Sequence, residues 1–191
     1  IIIQEYIEGD NSFQFSFGGY FVNGIGKAGI VVNQVGQYPQ GISSLVLEIE
    51  DGDIKKRIEH SVIKFAEQLK YTGFLEIEFK VYKNEIYLID INPRPWGWVS
   101  ILGKKYSNFY DVLCEDNDIA LNKISGLVMW KSPIRYFIGN IRNPLNAKNL
   151  KDRLNNYKKG NVAYDLYDPN DLKPIFATFK VMIIKLKKRF G

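Results

Sequence analysis

Five side chains between positions 76 and 94 carry chemistry at a spacing that brings them together: Glu76, Glu78, Asp90, Asn92 and Arg94. Ile77, Phe79 and Val81 alternate with Glu76, Glu78 and Lys80, and Tyr87, Ile89 and Ile91 alternate with Leu88, Asp90 and Asn92. This period of two predicts a β-hairpin over residues 74–92. A two-residue turn at Lys83-Asn84 would set Ile77 opposite Asp90 and split the carboxylates between faces. A three-residue turn over Lys83, Asn84 and Glu85 pairs Ile77 with Ile91, Phe79 with Ile89 and Val81 with Tyr87. It also sets Glu78 opposite Asp90 and Glu76 opposite Asn92. Burial of one face fixes register, so the second pairing is expected. Carboxylates facing each other across strands lie about 5 Å apart at Cβ, and like charges that close repel unless a cation joins them. With Asn92 they form an all-oxygen set suited to Mg²⁺ or Mn²⁺. Spacing alone leaves a solvated face equally open. The strand end, Asn92-Pro93-Arg94-Pro95-Trp96-Gly97, tips the balance, because Arg94 stands where a phosphate held by the metal would be clamped. The set reads as a metal–triphosphate site.

The elements that position this set are strands before it and a helix beside it. Residues 1–50 are rich in Ile, Val, Phe and Tyr punctuated by Gly, as strands joined by turns are. Gly18-Gly19 and Gly24-Ile25-Gly26 mark bends or turns, and 36–41, with Pro39 inside, reads as a loop. Asp53 is the expected N-cap of a helix to about Lys70, with an apolar stripe of Ile54, Ile58, Val62, Phe65, Ala66 and Leu69. His60 lies off that stripe, on the solvated side. Gly24-Ile25-Gly26-Lys27-Ala28-Gly29 matches GxGxxG but precedes a strand rather than a helix, so it reads as a hairpin turn. Beyond Gly97 the spacing predicts a short helix over 108–113, a loop at 116–118, a strand over 127–130, a polar helix over 146–157, a turn over 168–171 and a basic amphipathic helix over 176–190. The lysines of that last helix, with Lys55-Lys56-Arg57 and Lys104-Lys105, read as snorkelling or solvated basic faces.

The chain has 191 residues, 46% hydrophobic and 25% charged, with net charge +5, which is globular composition. That mild excess does not demand nucleic acid, and facing carboxylates would repel a nucleic-acid backbone unless metal intervenes. One cysteine, Cys114, excludes an internal disulfide and any multi-cysteine metal site, and a cytoplasmic setting is expected. No apolar run reaches the roughly 18 residues of a membrane span. Ile1-Ile2-Ile3 reads as the middle of a strand, so a chain cut from something longer is expected.

Glu76-Ile77-Glu78-Phe79-Lys80 followed by Tyr87-Leu88-Ile89-Asp90-Ile91-Asn92-Pro93-Arg94 resembles the metal-binding hairpin of the ATP-grasp superfamily. Gln4-Glu5-Tyr6-Ile7-Glu8-Gly9-Asp10 resembles its linker strand that clasps adenine and ribose. Gln37-Tyr38-Pro39, Pro95-Trp96-Gly97-Trp98 and the stretch from Tyr164-Asp165 to Asp168-Pro169 are similar to a subgroup of ATP-grasp ligases. That subgroup includes D-aspartate ligase-like enzymes and short relatives of the carbamoyl phosphate synthase large subunit. The resemblance is specific over residues 1–100 and loose beyond. It implies an α+β fold, an antiparallel sheet backed by helices with a C-terminal helical extension. Residues 1–113 would form the C-terminal lobe of an ATP-grasp domain without its upstream lobe, and residues 114–191 an extension packed on it. It implies ATP and Mg²⁺ (or Mn²⁺) as cofactors, with Glu78, Asp90 and Asn92 as metal ligands and Arg94 on the transferred phosphate. The backbone at Glu5, Tyr6 and Ile7 would meet adenine, and Asp10 or Asn11 the ribose. The implied activity is that of a carboxylate–amine ligase working through an acyl phosphate on small-molecule substrates, with neither nucleic acid nor membrane as partner. Trp96, Trp98 and Ser100 are the candidates for the substrate side. The segment before Gln37 often carries arginines in this family and here reads Val32-Asn33-Gln34-Val35-Gly36. A degenerate relative that binds nucleotide or a partner without catalysis is the alternative.

Overall fold

A computed structural model describes residues 3–9, 13–114, 120–142, 154–157, 159–166 and 171–190. The loop expected at 116–118, most of the helix expected over 146–157 and most of the turn over 168–171 lie outside them, as do Asp10 and Asn11.

Seven strands form one sheet: β1 (Gln14–Val22), β2 (Ile25–Gln37), β3 (Ser43–Glu48), β4 (Gly73–Tyr82), β5 (Glu85–Asn92), β6 (Met129–Lys131) and β7 (Val162–Tyr164), in the order β5-β4-β1-β2-β3-β6-β7. Five of the six pairings are antiparallel, and β6–β7 is parallel. The sheet is therefore mixed rather than purely antiparallel, and two of its strands come from beyond residue 113. Helices α1 (Asp53–Leu69), α2 (Ile101–Lys105), α3 (Phe109–Cys114), α4 (Pro133–Arg142) and α5 (Lys173–Phe190), with a 3₁₀ turn at Lys159–Asn161, complete the described elements. None of the described helices is long and apolar enough to cross a membrane.

Period two sorts each strand into its faces. Phe17, Phe21, Val31, Leu75, Ile77 and Phe79 pack with Ile58, Val62 and Ala66 of α1 on one side. Ile30, Val32, Val46 and Trp130 pack on the other with Trp96, Trp98, α2 and α3. The stripe of α1 is buried in its middle, while Leu69 and His60 are exposed. Gly52, not Asp53, is the N-cap, and Asp53 is the first helical residue, 3.5 Å from Arg57 one turn on.

Asn23-Gly24 form the β1–β2 turn, both with positive φ, which matches the twist of a two-residue hairpin. Gly18-Gly19, in contrast, lie inside β1 and not at a bend. A Cβ on Gly18 would fall on the Trp96 ring and 2.8 Å from Trp98 Cη2. That strand lacks side chains there so that two indoles can lie against it. Gly36 and Gln37 likewise continue β2, and the loop begins at Tyr38. Lys105 is no solvated lysine: it is buried against Glu48.

Candidate functional site

The hairpin reconciles both registers considered above. Lys83 and Asn84, both at positive φ, make a two-residue turn that pairs Tyr82 with Glu85, Lys80 with Tyr87 and Phe79 with Leu88. The register then shifts between Glu78 and Phe79, so that Ile89 is the extra residue of a bulge. Beyond it Glu78 stands opposite Asp90, Ile77 opposite Ile91 and Glu76 opposite Asn92. The expected pairings of Phe79 with Ile89 and Val81 with Tyr87 do not occur. The turn chemistry sets one register and the carboxylate end keeps the other; one unpaired residue absorbs the difference.

Glu76 and Glu78 project from the sheet face opposite α1, toward Trp96 and Trp98. In the register across β4 and β1, Glu76 is level with Gly18 and Glu78 with Ser16. Because Gly18 has no side chain, the indoles cover Glu76, which is only 4% exposed. Burial, the neighbouring Glu78 charge and, last, Asp90 push its carboxyl up to about 8, against a hydrogen bond from Trp98 and the charge of Arg94. Glu78 is raised too, by burial and then by Asp90, although Gln14 Nε2 donates to its Oε2 at 3.0 Å. Asn92 Nδ2 donates to Asp90 Oδ2 at 3.1 Å and to Glu76 Oε2 at 3.4 Å, and its Oδ1 accepts from Arg94 Nη2 at 3.0 Å. An amide and an arginine thus hold together carboxylates that repel one another.

These residues share one cavity of about 280 Å³ with Gln34, Ser43, Trp96, Trp98, Trp130 and Arg135. Its far wall was illegible in the sequence. Gln34 Nε2 donates to Ser16 Oγ and Ser43 Oγ donates to Gln34 Oε1, both at 2.6 Å; Gln37 Nε2 donates to Gln14 Oε1 at 2.8 Å. Arg135 arrives from α4 and donates to the Ser43 carbonyl at 2.9 Å. Polar residues alternating at Gln14 and Ser16 and again at Gln34 were the available signal. Nothing local announced Arg135.

The donor set fits a hard divalent cation. The Glu78 and Asp90 carboxylates and the Asn92 amide oxygen are hard ligands, and Glu76 and Glu78 are raised first by burial and then by neighbouring carboxylates, a repulsion that a cation would relieve. Among the described residues no three acidic, His or Cys side chains already converge on one point as a metal group, and Asn92 Oδ1 is bonded to Arg94, so ligation requires the carboxylates to draw together and the amide to turn its oxygen inward.

Glu5, Tyr6 and Ile7 lie elsewhere. Residues 3–9 are irregular, not the expected strand, and side chains of the hairpin hold them. Lys80 Nζ donates to the Ile7 carbonyl at 2.6 Å and stands 5.4 Å from the Tyr6 ring centroid; Tyr82 Oη donates to Glu8 at 2.6 Å. Lys80 shares the β4 face with Glu78, so this segment meets the carboxylate row at its outer end. Ser100 lies outside the cavity lining, its hydroxyl 3.4 Å from the Tyr164 carbonyl.

No family model matches the chain. Carbamoyl phosphate synthase large chains of two Helicobacter pylori strains are 28% and 27% identical to it over 142 residues, 73% of this chain and 10% of theirs. The chain therefore spans about a tenth of the length of the curated relatives it matches. Two solved structures share its fold: a biotin carboxylase–βγ-ATP complex from Campylobacter jejuni (TM-score 0.52, 17% identity, 66% of this chain and 30% of that one) and phosphoribosylglycinamide synthetase from Anaerococcus prevotii (0.51, 13%, 65% and 35%). By this distant homology and this shared architecture, the chain is related to the ATP-grasp superfamily.

Proposed function

We propose that the chain is the phosphate- and metal-binding portion of an ATP-dependent carboxylate–amine ligase, related to carbamoyl phosphate synthase or D-aspartate ligase. The observation that carries this reading is the bulge at Ile89, which sets Glu78 opposite Asp90 and Glu76 opposite Asn92 beneath Arg94 despite a turn of the other register. A structure that gained nothing from facing carboxylates would have kept the turn's register and separated them.

In this reading Glu78, Asp90 and Asn92 hold Mg²⁺ (or Mn²⁺), which when bound neutralises phosphate charge and orients the transferred group. Glu76, protonated near neutral pH, supports Asn92 and Trp98 rather than adding a further negative charge. Arg94, positioned by Asn92 and by the Pro95 carbonyl 3.1 Å from Nη1, clamps the transferred phosphate. The backbone at Glu5, Tyr6 and Ile7, with Asp10 or Asn11, takes the adenosine, and Lys80 steadies that backbone. The residues that would hold the nucleotide thus run along β4, from Lys80 on the adenosine side to Glu78 on the phosphate side. A small-molecule carboxylate oxygen would take the γ-phosphoryl group of ATP, with release of ADP, and an amine would then attack the acyl carbon and displace inorganic phosphate. The degenerate, non-catalytic reading draws on the β1–β2 wall, where neutral Gln14, Gln34 and Gln37 stand in place of cations.

Calorimetric titration of Mg·ATP into the chain and into its Glu78→Gln, Asp90→Asn double variant tests the site. Saturable binding lost by at least tenfold in the variant is expected. Equal binding by both removes the hairpin from the nucleotide site. Phosphate release on adding candidate acids and amines then separates ligase from non-catalytic binder.

A further inference from the structure

Three hydrogen bonds run in one direction from the loop after β2 to the carboxylate row. The Gly41 N–H donates to Gln37 Oε1 at 3.0 Å, Gln37 Nε2 donates to Gln14 Oε1 at 2.8 Å, and Gln14 Nε2 donates to Glu78 Oε2 at 3.0 Å. A glutamine amide accepts at one end and donates at the other, and turning it over exchanges the two at little steric cost, so its partners decide its sense. Here both ends of the chain of bonds are fixed. A backbone N–H can only donate, and an ionised carboxylate can only accept. The Gly41 end is itself anchored, because the loop is closed by Tyr38 N–H to the Ile42 carbonyl at 2.9 Å and by Ile42 N–H to the Pro39 carbonyl at 3.0 Å. The Gln14 backbone carbonyl accepts from Asn33 Nδ2 at 2.7 Å, which ties this stretch of β1 to β2. Donation from Gln14 favours the ionised form of Glu78, against the burial and the Asp90 charge that oppose it.

We propose that Gln14 is a positioning residue for Glu78 and that Gln37 sets the sense in which it acts, so that this relay holds the Glu78 carboxylate beside Asp90 for a divalent cation. The inference rests on the metal reading of the hairpin and adds to it two residues from β1 and β2. Glu78 and Asp90 are paired by register but repel, and a carboxylate free to swing would move away from its neighbour. An amide donor on each opposes that: Gln14 on Glu78 from β1, and Asn92 on Asp90 from within β5. Removing the partner that orients a metal ligand typically costs about 10- to 100-fold in metal affinity. The sense of the relay matters in a way that packing alone does not. Gln37→Glu keeps the size and the acceptor for Gly41 but puts a second acceptor where Gln37 Nε2 stood. Gln14 must then turn over to donate to it, and its Oε1 comes to face Glu78. The substitution adds a negative charge, which by itself attracts cations, yet through the relay it weakens cation binding.

The probe is Mn²⁺ alone, titrated into the full chain near neutral pH and followed by the paramagnetic resonance signal of the free ion. Gln14→Met should weaken binding about tenfold or more, and Gln37→Glu should weaken it severalfold. In a Gln14→Met background Gln37→Glu should no longer weaken it, because no amide remains to turn over. Tighter binding in Gln37→Glu, or wild-type affinity in Gln14→Met, overturns the proposal. A loss of the same size in both backgrounds overturns it too, since Gln37 then acts without Gln14. The metal-free chain supplies an independent reading. The Gln14 side-chain amide in a ¹⁵N spectrum, assigned by Gln14→Met, is expected to shift in both Gln37→Glu and Glu78→Gln. An amide signal that ignores Gln37→Glu removes the relay, whatever the metal does. If the amide responds and the wild type binds no Mn²⁺, the metal reading of the hairpin is overturned while the relay stands as the support of a half-buried carboxylate.

Discussion

Two glutamates on the same face of the same sheet are buried almost equally, Glu48 at 2% and Glu76 at 4% exposure, and are treated in opposite ways. Glu48 has a full set of partners. Lys105 Nζ lies 2.7 Å from Oε1 and 2.8 Å from Oε2, the Val128 N–H donates to Oε2 at 3.0 Å, and Lys105 also donates to the Gly126 carbonyl at 3.1 Å. Glu76 has an indole, one long amide contact and two further carboxylates nearby. The first charge is neutralised inside the fold and ties α2 to the sheet. The second is held near neutrality by a proton, in a cluster whose deficit of positive charge a metal would correct. Burial alone does not single out a carboxylate; burial with its charge left incompletely compensated makes one a candidate for function.

Removing Lys105 makes the first region resemble the second, and this has the largest expected effect. Lys105→Met strands a buried Glu48 charge, which should cost about 3–5 kcal/mol of stability, measured by urea unfolding. Adding Glu48→Gln should recover much of that loss. If the single variant unfolds like the parent, the pair contributes nothing and the contrast fails. The next effect comes from uncovering Glu76. Gly18→Ala places a methyl against Trp96 and Trp98, for which overpacking predicts a loss of about 1–3 kcal/mol. As the indoles move away, the Glu76 carboxyl should titrate nearer the ordinary range, read by carboxyl NMR. A stable variant with an unmoved Glu76 would mean that Gly18 does not bury it.

The two regions also differ in how far a sequence announces them. Glu76, Glu78, Asp90 and Asn92 lie within one hairpin, so period two and one turn suffice to bring them together. The bulge escaped because it joins two registers in one hairpin, a turn of two residues and a carboxylate end paired one residue further on. Lys105 read as solvated since its partner is 57 residues away, and Gly18 read as a bend since its reason is a tryptophan far along the chain. Arg135 and helix α4 were unseen for the same cause. Residues 4–9 were expected as a strand by their resemblance to a linker strand, but a strand requires a ladder partner, and among the described residues these have side-chain tethers instead.

The smallest effect sharpens the contrast by pH. In the metal-free chain the folded state keeps a proton on Glu76 up to about 8, whereas the ordinary carboxyl value is 4.5. Between these values the folded state binds more protons than the unfolded one, so stability falls as pH rises. It is greatest below the unfolded value and is lost progressively through about 8. Glu78, also raised, acts in the same direction. A tenfold difference in proton affinity between the two states corresponds to about 1.4 kcal/mol, and hydration of the opened cavity reduces the realised effect to roughly that amount. Urea midpoints of the metal-free wild type should therefore drop between about pH 5 and pH 8, and Glu76→Gln should flatten most of that slope, leaving a residue from Glu78. Mg²⁺ should raise the wild-type midpoint by binding the Glu78–Asp90 pair, and should do less in Glu78→Gln. A wild-type midpoint that does not change over this range would mean that Glu76 is ionised when buried, and the distinction from Glu48 would disappear.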